Sequence, residues 1–131
     1  MVPVTLNHTI VHARDAQTSA DFLSRMLGLP EPRRFGPFLV VEAANGVSLD
    51  FLDTGPEYEL QVQHYAFLVT EPEFDEIFGR IQERGLPYFA DPHGHEAQQI
   101  NHHDGGRGVY WADPSGNMLE IITVPYGGWP S

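Results

Sequence analysis

The 131-residue chain contains no cysteine, and all seven of its basic residues are arginine, so lysine is missing as well. Each absence removes a class of chemistry. Without cysteine there is no thiol nucleophile, no disulfide framework, no iron–sulfur cluster and no thiolate zinc site. Without lysine there is no Schiff-base enzyme, no phosphate-loop lysine and no lysine general base. Positive charge is also scarce: seven basic residues face eighteen acidic ones, a formal net charge of −11. That balance argues against a nucleic-acid partner, because neutralising phosphates needs a basic face. No apolar run reaches the length of a membrane span, and the first residues lack the basic-then-apolar pattern of a secretory leader, so the expectation is a soluble cytoplasmic protein. A hydrophobic content of 41% with 11% aromatics suits a packed core.

The periodicities alternate between strand and helix. Val4 to Val11 alternates with β-branched residues and reads as a strand carrying His8. Asp15 then offers an N-cap to a helix over Ala16–Leu27, striped by Phe22, Leu23, Met26 and Leu27 and stopped by Gly28. A short strand is placed within Glu31 to Phe35, followed by Phe38 to Ala43 and Val47 to Leu52, the last two joined by Asn45-Gly46. After a polar, turn-rich stretch from Asp53 to Leu60 the pattern begins again. Val62 to Val69 is a strand carrying His64, and Pro72 to Arg84 is a helix buried along Phe74, Ile77, Phe78 and Ile81, with Gly85 as its stop. Strands at Gly108 to Ala112 and Asn117 to Val124 flank Asp113-Pro114-Ser115-Gly116, a type I turn composition. The tail from Pro125 onward reads as loosely held, with Trp129 as a possible anchor.

The two halves repeat each other. Both helices end in Gly-Leu-Pro, at Gly28-Leu29-Pro30 and Gly85-Leu86-Pro87. Both opening strands carry a histidine, 20 and 21 residues before that glycine. Both halves close on a strand with a carboxylate between apolar neighbours, Leu49-Asp50-Phe51 and Leu119-Glu120-Ile121. Histidine and carboxylate stand 42 residues apart in the first half and 56 in the second, and the surplus of 14 falls in the His-, Gly- and Asn-rich stretch 91–106. The chain therefore reads as an α+β protein of two tandem βαβββ modules, 1–56 and 57–131, the second with an inserted loop at 91–106.

Four residues occupy repeat-equivalent positions: His8, Asp50, His64 and Glu120. A pseudo-two-fold arrangement of the modules would let them converge on one point. Two imidazoles with one or two carboxylates suit one divalent ion such as iron, manganese, nickel or zinc. A single histidine on an apolar strand face is more often a hydrogen-bonded core residue than a ligand; it is the coincidence within the repeat that favours metal. Glu120 stands out individually, because an ionised carboxylate in Met-Leu-Glu-Ile-Ile must neutralise, pair or bind a cation. Asp50 is one methylene shorter and sits close to Asp53, where an exposed strand end is the competing interpretation.

His93, His95, His102 and His103 lie on the inserted loop, where their spacing does not fix a coordination shell and a polar loop is the simpler interpretation. The functional alternative is a substrate-facing flap over the metal, with Arg107 as a handle for an anionic group. Tyr65, Tyr110 and Trp111 are candidates to line a substrate pocket, and strand alternation equally allows them to be core.

The tandem repeat, opened by Leu6-Asn7-His8-Thr9 and His64-Tyr65 and closed by Gly108-Val109-Tyr110-Trp111-Ala112-Asp113-Pro114-Ser115-Gly116-Asn117-Met118-Leu119-Glu120, resembles the vicinal oxygen chelate superfamily. That group includes glyoxalase I, extradiol dioxygenases, fosfomycin-modifying enzymes and bleomycin-binding resistance proteins. The resemblance runs from Val4 to Tyr126. It implies a cupped eight-stranded sheet with the helices on its outer face, and a homodimer. It also implies that His8, His64 and Glu120 are the metal ligands, with Asp50 where glyoxalase I carries a further glutamate. The implied activity is that of a metal-dependent lyase, isomerase or dioxygenase whose small substrate chelates the ion through neighbouring oxygens, with Glu120 also moving a proton, or with His102 or His103 as the base instead if the loop folds over the site. The alternative within the same group is a protein that sequesters an antibiotic without catalysis.

Overall fold

The computed structural model describes residues 3–128. Trp129 lies outside them. The chain divides into two compact units, Met1–Gln61 and Val62–Ser131.

In the first unit, β1 (His8–Ala13) leads through α1 (Ala16–Leu27) to β2 (Arg33–Phe35), β3 (Phe38–Glu42) and β4 (Ser48–Asp53), in a sheet of order β1-β4-β3-β2. β1 runs parallel to β4, and the other pairs are antiparallel. α1 has the predicted bounds. The Asp15 carboxylate accepts from the Thr18 amide at 3.1 Å, and Gly28 closes the helix in the left-handed region at φ 69°. Asp53 at the end of β4 accepts from the Ala16 amide at 2.7 Å, so the last strand satisfies a second orphan donor of the helix. Val11, Ala13, Leu39, Val41, Leu49 and Phe51 are buried on the sheet, together with Ala16, Ala20, Leu23 and Met26 of α1. Burying each large aliphatic or aromatic side chain contributes about 1.5–3 kcal/mol.

β1 begins at His8 rather than at Val4. The reason is its partner: β4 begins at Ser48, which lies opposite His8, and the Ser48 amide already reaches back to the Asn7 carbonyl. Val4 and Leu6 have no ladder to join and are 81% and 69% exposed.

In the second unit, β5 (His64–Leu68), α2 (Glu71–Glu83), β6 (Gly108–Ala112) and β7 (Met118–Ile122) follow in order, the strands forming a sheet of order β5-β7-β6. α2 starts one residue before the expected Pro72. Thr70 and Glu73 form a reciprocal capping box, and Pro72 falls in the first turn where its missing N–H costs nothing. Phe74, Ile77 and Ile81 are buried from α2, as are Val109, Trp111, Leu119 and Ile121 from the sheet.

The expected sheet of eight strands is not what the described residues form: they make one sheet of four strands and one of three. Among the described residues the second unit has no counterpart of β2. Isolated bridges join Phe89 to Tyr110 and to Ala97, and Asn101 to Gly108. The local sequence explains the loss. The Asp91 carboxylate gathers the amides of His93, His95 and Glu96 at 3.2, 3.1 and 2.7 Å, folding the backbone on itself instead of along β6. Among the described residues, no helix is long and apolar enough to cross a membrane.

Candidate metal centre

The closing hairpin of the second unit is built around one turn. The Asp113 carboxylate accepts from the amides of Ser115 and Asn117 at 2.9 and 2.8 Å, while Gly116 takes φ 91°. Asn117 then accepts from the Gln63 amide at 2.8 Å, which ties the turn to the start of β5. Asp113 is buried, and burial raises its pKa against those hydrogen bonds. The Asp-Pro-Ser-Gly-Asn segment thus fixes the register of β7 against β5, and with it the position of Glu120.

In that register Glu120 lies between Ala66 of β5 and Tyr110 of β6, on the sheet face opposite Leu119 and Ile121. Ala66 is too short to cover the carboxylate. His64, two residues earlier on the same face of β5, reaches across so that its Nε2 stands 2.8 Å from Glu120 Oε1. The Tyr126 hydroxyl donates to the same oxygen at 2.6 Å and lies 3.4 Å from the Tyr110 hydroxyl. The Tyr110 ring meets the His64 imidazole edge-on at 5.6 Å. Burial raises the pKa of the Tyr110 and Tyr126 phenols, and neighbouring Glu120 adds to both shifts, so both are neutral donors.

Glu120 itself is fully buried, and its Oε2 has no hydrogen-bond partner among the described residues. An ion taken out of water is penalised by several kcal/mol unless its charge is met. One imidazole and one phenol meet only Oε1. The donor types fit a divalent cation: the buried Oε2 is a hard oxygen donor with no hydrogen-bond partner among the described residues, and the His64 imidazole beside the carboxylate is a common ligand of such ions.

The first unit repeats this geometry. His8 lies opposite Ser48 as His64 lies opposite Met118, and Asp50 lies between Ile10 and Val40 as Glu120 lies between Ala66 and Tyr110. The predicted equivalence of the four residues therefore holds at the level of strand register. Local bonding differs. His8 Nδ1 contacts Asn7 Oδ1 at 2.7 Å, and the Asp50 carboxylate accepts from the Ser48 hydroxyl at 2.7 Å. Among the described residues no group of three or more His, Asp or Glu gathers to hold an ion.

Of the candidate pocket residues, only Tyr110 shares the face of Glu120. Tyr65 and Trp111 lie opposite Leu119 in the ladder, on the other face, and Trp111 is fully buried there. Arg107 is committed to α2. Its guanidinium pairs with Glu71 at 2.8 Å and Asp75 at 2.9 Å, and lies over the Phe74 ring at 4.2 Å. His102 precedes a 3-10 turn over His103–Gly105, and both histidines are exposed. Tyr126 escaped the sequence reading, because a Pro-Tyr-Gly-Gly stretch carries the composition of a loose tail. The only available signal was a tyrosine six residues past the marked glutamate.

A sequence profile of the Glyoxalase/Bleomycin resistance protein/Dioxygenase superfamily matches residues 5–121, and the chain belongs to that superfamily. Among solved structures, it is similar to Oxidase ChaP-H1, with 59% identity over 95% of this chain and 99% of that one and a TM-score of 0.92. Oxidase ChaP-H2 is 55% identical over 98% of this chain and 100% of that one, also with a TM-score of 0.92. Glutathione transferase FosA of Serratia marcescens is 27% identical over 89% of this chain and 79% of its own length.

Proposed function

We propose that the protein is a metal-dependent oxidase of the vicinal oxygen chelate type, acting on a small molecule that presents two neighbouring oxygens. The observation that carries this reading is the fully buried Glu120, with one oxygen shared by His64 and Tyr126 and the other without a partner among the described residues. The oxidase names of the two relatives with more than half of their residues in common favour oxidation over the lyase and isomerase alternatives.

His64 and Glu120 would hold the ion, with His8 as third ligand on the strength of its equivalent register position. Asp50 is the further carboxylate of the set, and the weaker donor because Ser48 already occupies one of its oxygens. When bound, a divalent iron, manganese, nickel or zinc ion supplies positive charge that favours the ionised form of a coordinated substrate oxygen; iron and manganese suit an oxidation. Tyr110, kept neutral by burial, would donate a hydrogen bond to a substrate oxygen at the Glu120 face. His102 or His103 would accept the substrate's proton as general base if the inserted loop closes on the site. A homodimer is proposed with this activity.

The test is oxygen uptake by purified protein supplied with iron(II) or manganese(II) and a panel of catechols and hydroxyquinones. The expected result is metal-dependent uptake with at least one substrate, abolished in Glu120→Gln. Tight binding of an aromatic antibiotic with no oxygen uptake, equal in wild type and Glu120→Gln, would instead establish the sequestration alternative.

A further inference from the structure

The segment after β7 turns back on the site. Tyr126 opens a 3-10 turn closed by Gly127 and Gly128, both at φ 71°, with the Gly128 amide bonded to the Pro125 carbonyl at 2.8 Å. The Tyr126 side chain is half exposed, yet its hydroxyl ends 2.6 Å from a carboxylate that is fully buried. The turn is held from elsewhere in the unit. Asp104 Oδ2 accepts from the Gly127 amide at 3.0 Å, and Asp104 itself adopts the left-handed region at φ 56° on the inserted loop. An aspartate tolerates that backbone conformation better than most non-glycine residues.

A continuous chain of contacts therefore runs from the inserted loop through Asp104, Gly127 and Tyr126 to Glu120 and His64. Its geometric consequence lies at the carboxylate. Tyr126 engages Oε1 alone, which fixes the rotation of the carboxyl plane and leaves Oε2 as the unpartnered oxygen. A glutamate side chain with a free terminal torsion would otherwise sample many orientations, and ordering it would be charged to each binding event.

We infer that Tyr126 is a positioning residue, a latch that presents Glu120 Oε2 to a divalent cation, and that Asp104 of the inserted loop sets the latch. The inference rests on the metal reading of the site and adds to it a role for the insertion that distinguishes the second unit from the first. Partners one step removed from a metal typically change affinity 10- to 100-fold when removed.

The experiment is calorimetric titration of chelator-treated full-length protein with manganese(II) alone, without substrate. Tyr126→Phe is expected to weaken binding about tenfold or more while far-UV circular dichroism stays unchanged. Asp104→Ala is expected to weaken it by several-fold, and Asp104→Asn, which keeps an oxygen acceptor for the Gly127 amide, to restore wild-type affinity. Combining Asp104→Ala with Tyr126→Phe should cost no more than Tyr126→Phe alone, because the two act through one contact. Wild-type affinity in a folded Tyr126→Phe protein overturns the latch and leaves the metal reading standing. Absence of binding by the wild type in this titration and in parallel ones with iron(II), nickel(II) and zinc(II) overturns both. Additive losses in the double variant, or no rescue by Asp104→Asn, overturn the role of Asp104.

Discussion

Glu120 carries the account at the scale of single residues. Its neighbours in sequence are apolar on both sides, the residue is buried, and among the described residues only one of its oxygens has a partner. If that carboxylate awaits a cation, manganese(II) at about 100 times its dissociation constant should raise unfolding free energy by about 2.7 kcal/mol in wild type. In Glu120→Gln it should do nothing, and chemical denaturation with and without the ion checks both. A second expectation concerns alkaline pH. Burial is the leading cause of raised phenol pKa values at Tyr65, Tyr110 and Tyr126, whose ordinary value is 10.0. The folded chain thus keeps phenolic protons that the unfolded chain releases. The stability this contributes is complete below pH 10.0 and is lost as pH climbs through the raised folded values. Denaturation midpoints of metal-free protein should therefore fall above that pH, and fall less steeply in Tyr126→Phe. Glu120 was conspicuous as an ionisable group among apolar neighbours, and the two strand histidines stood out by their equivalent places in the repeat. Tyr126 did not, since a hydrogen bond made by a turn after the last strand leaves no periodicity.

At the scale of elements, short polar motifs do the positioning. Asp113 satisfies two amides of the β6–β7 turn, and Asn117 ties that turn to β5. Asp113→Ala should destabilise the protein by about 1–2 kcal/mol, as the loss of such caps does. It should weaken metal binding as well, because β7 register sets the Glu120–His64 separation. Thr70→Ala removes one half of the α2 capping box and should cost about 1 kcal/mol without changing metal affinity. Urea denaturation combined with metal titration separates the two cases. Element types followed from the hydrophobic periods, and α1 and β6 have the predicted bounds. The misjudged boundaries depend on partners: β1 starts only where β4 is present to receive it. The ion pairs of Arg107 were hidden for a similar reason. Its attachment to Glu71 and Asp75 spans more than thirty residues of sequence and has no local signature.

At the scale of the whole molecule, the internal repeat is the informative feature, and the ladder registers of the two units agree residue for residue at His8 and His64, Asp50 and Glu120. The repeat overreached at one strand. It implied a counterpart of β2, but the Asp91 side chain captures the backbone amides that such a strand would need. The same insertion reaches the Tyr126 turn through Asp104, and Tyr126 in turn donates to the buried carboxylate of Glu120. The absence of cysteine and lysine also acquires a sharper meaning: any catalysis would have to run through metal, histidine, carboxylate, tyrosine or arginine.

The most direct test of the central claim is the metal content of the purified protein, measured by elemental analysis beside its His64→Ala and Glu120→Ala variants. The account predicts about one divalent ion per chain in wild type and almost none in either folded variant. A wild type that carries no ion after exposure to iron, manganese, nickel or zinc, or variants that carry as much as wild type, would contradict it.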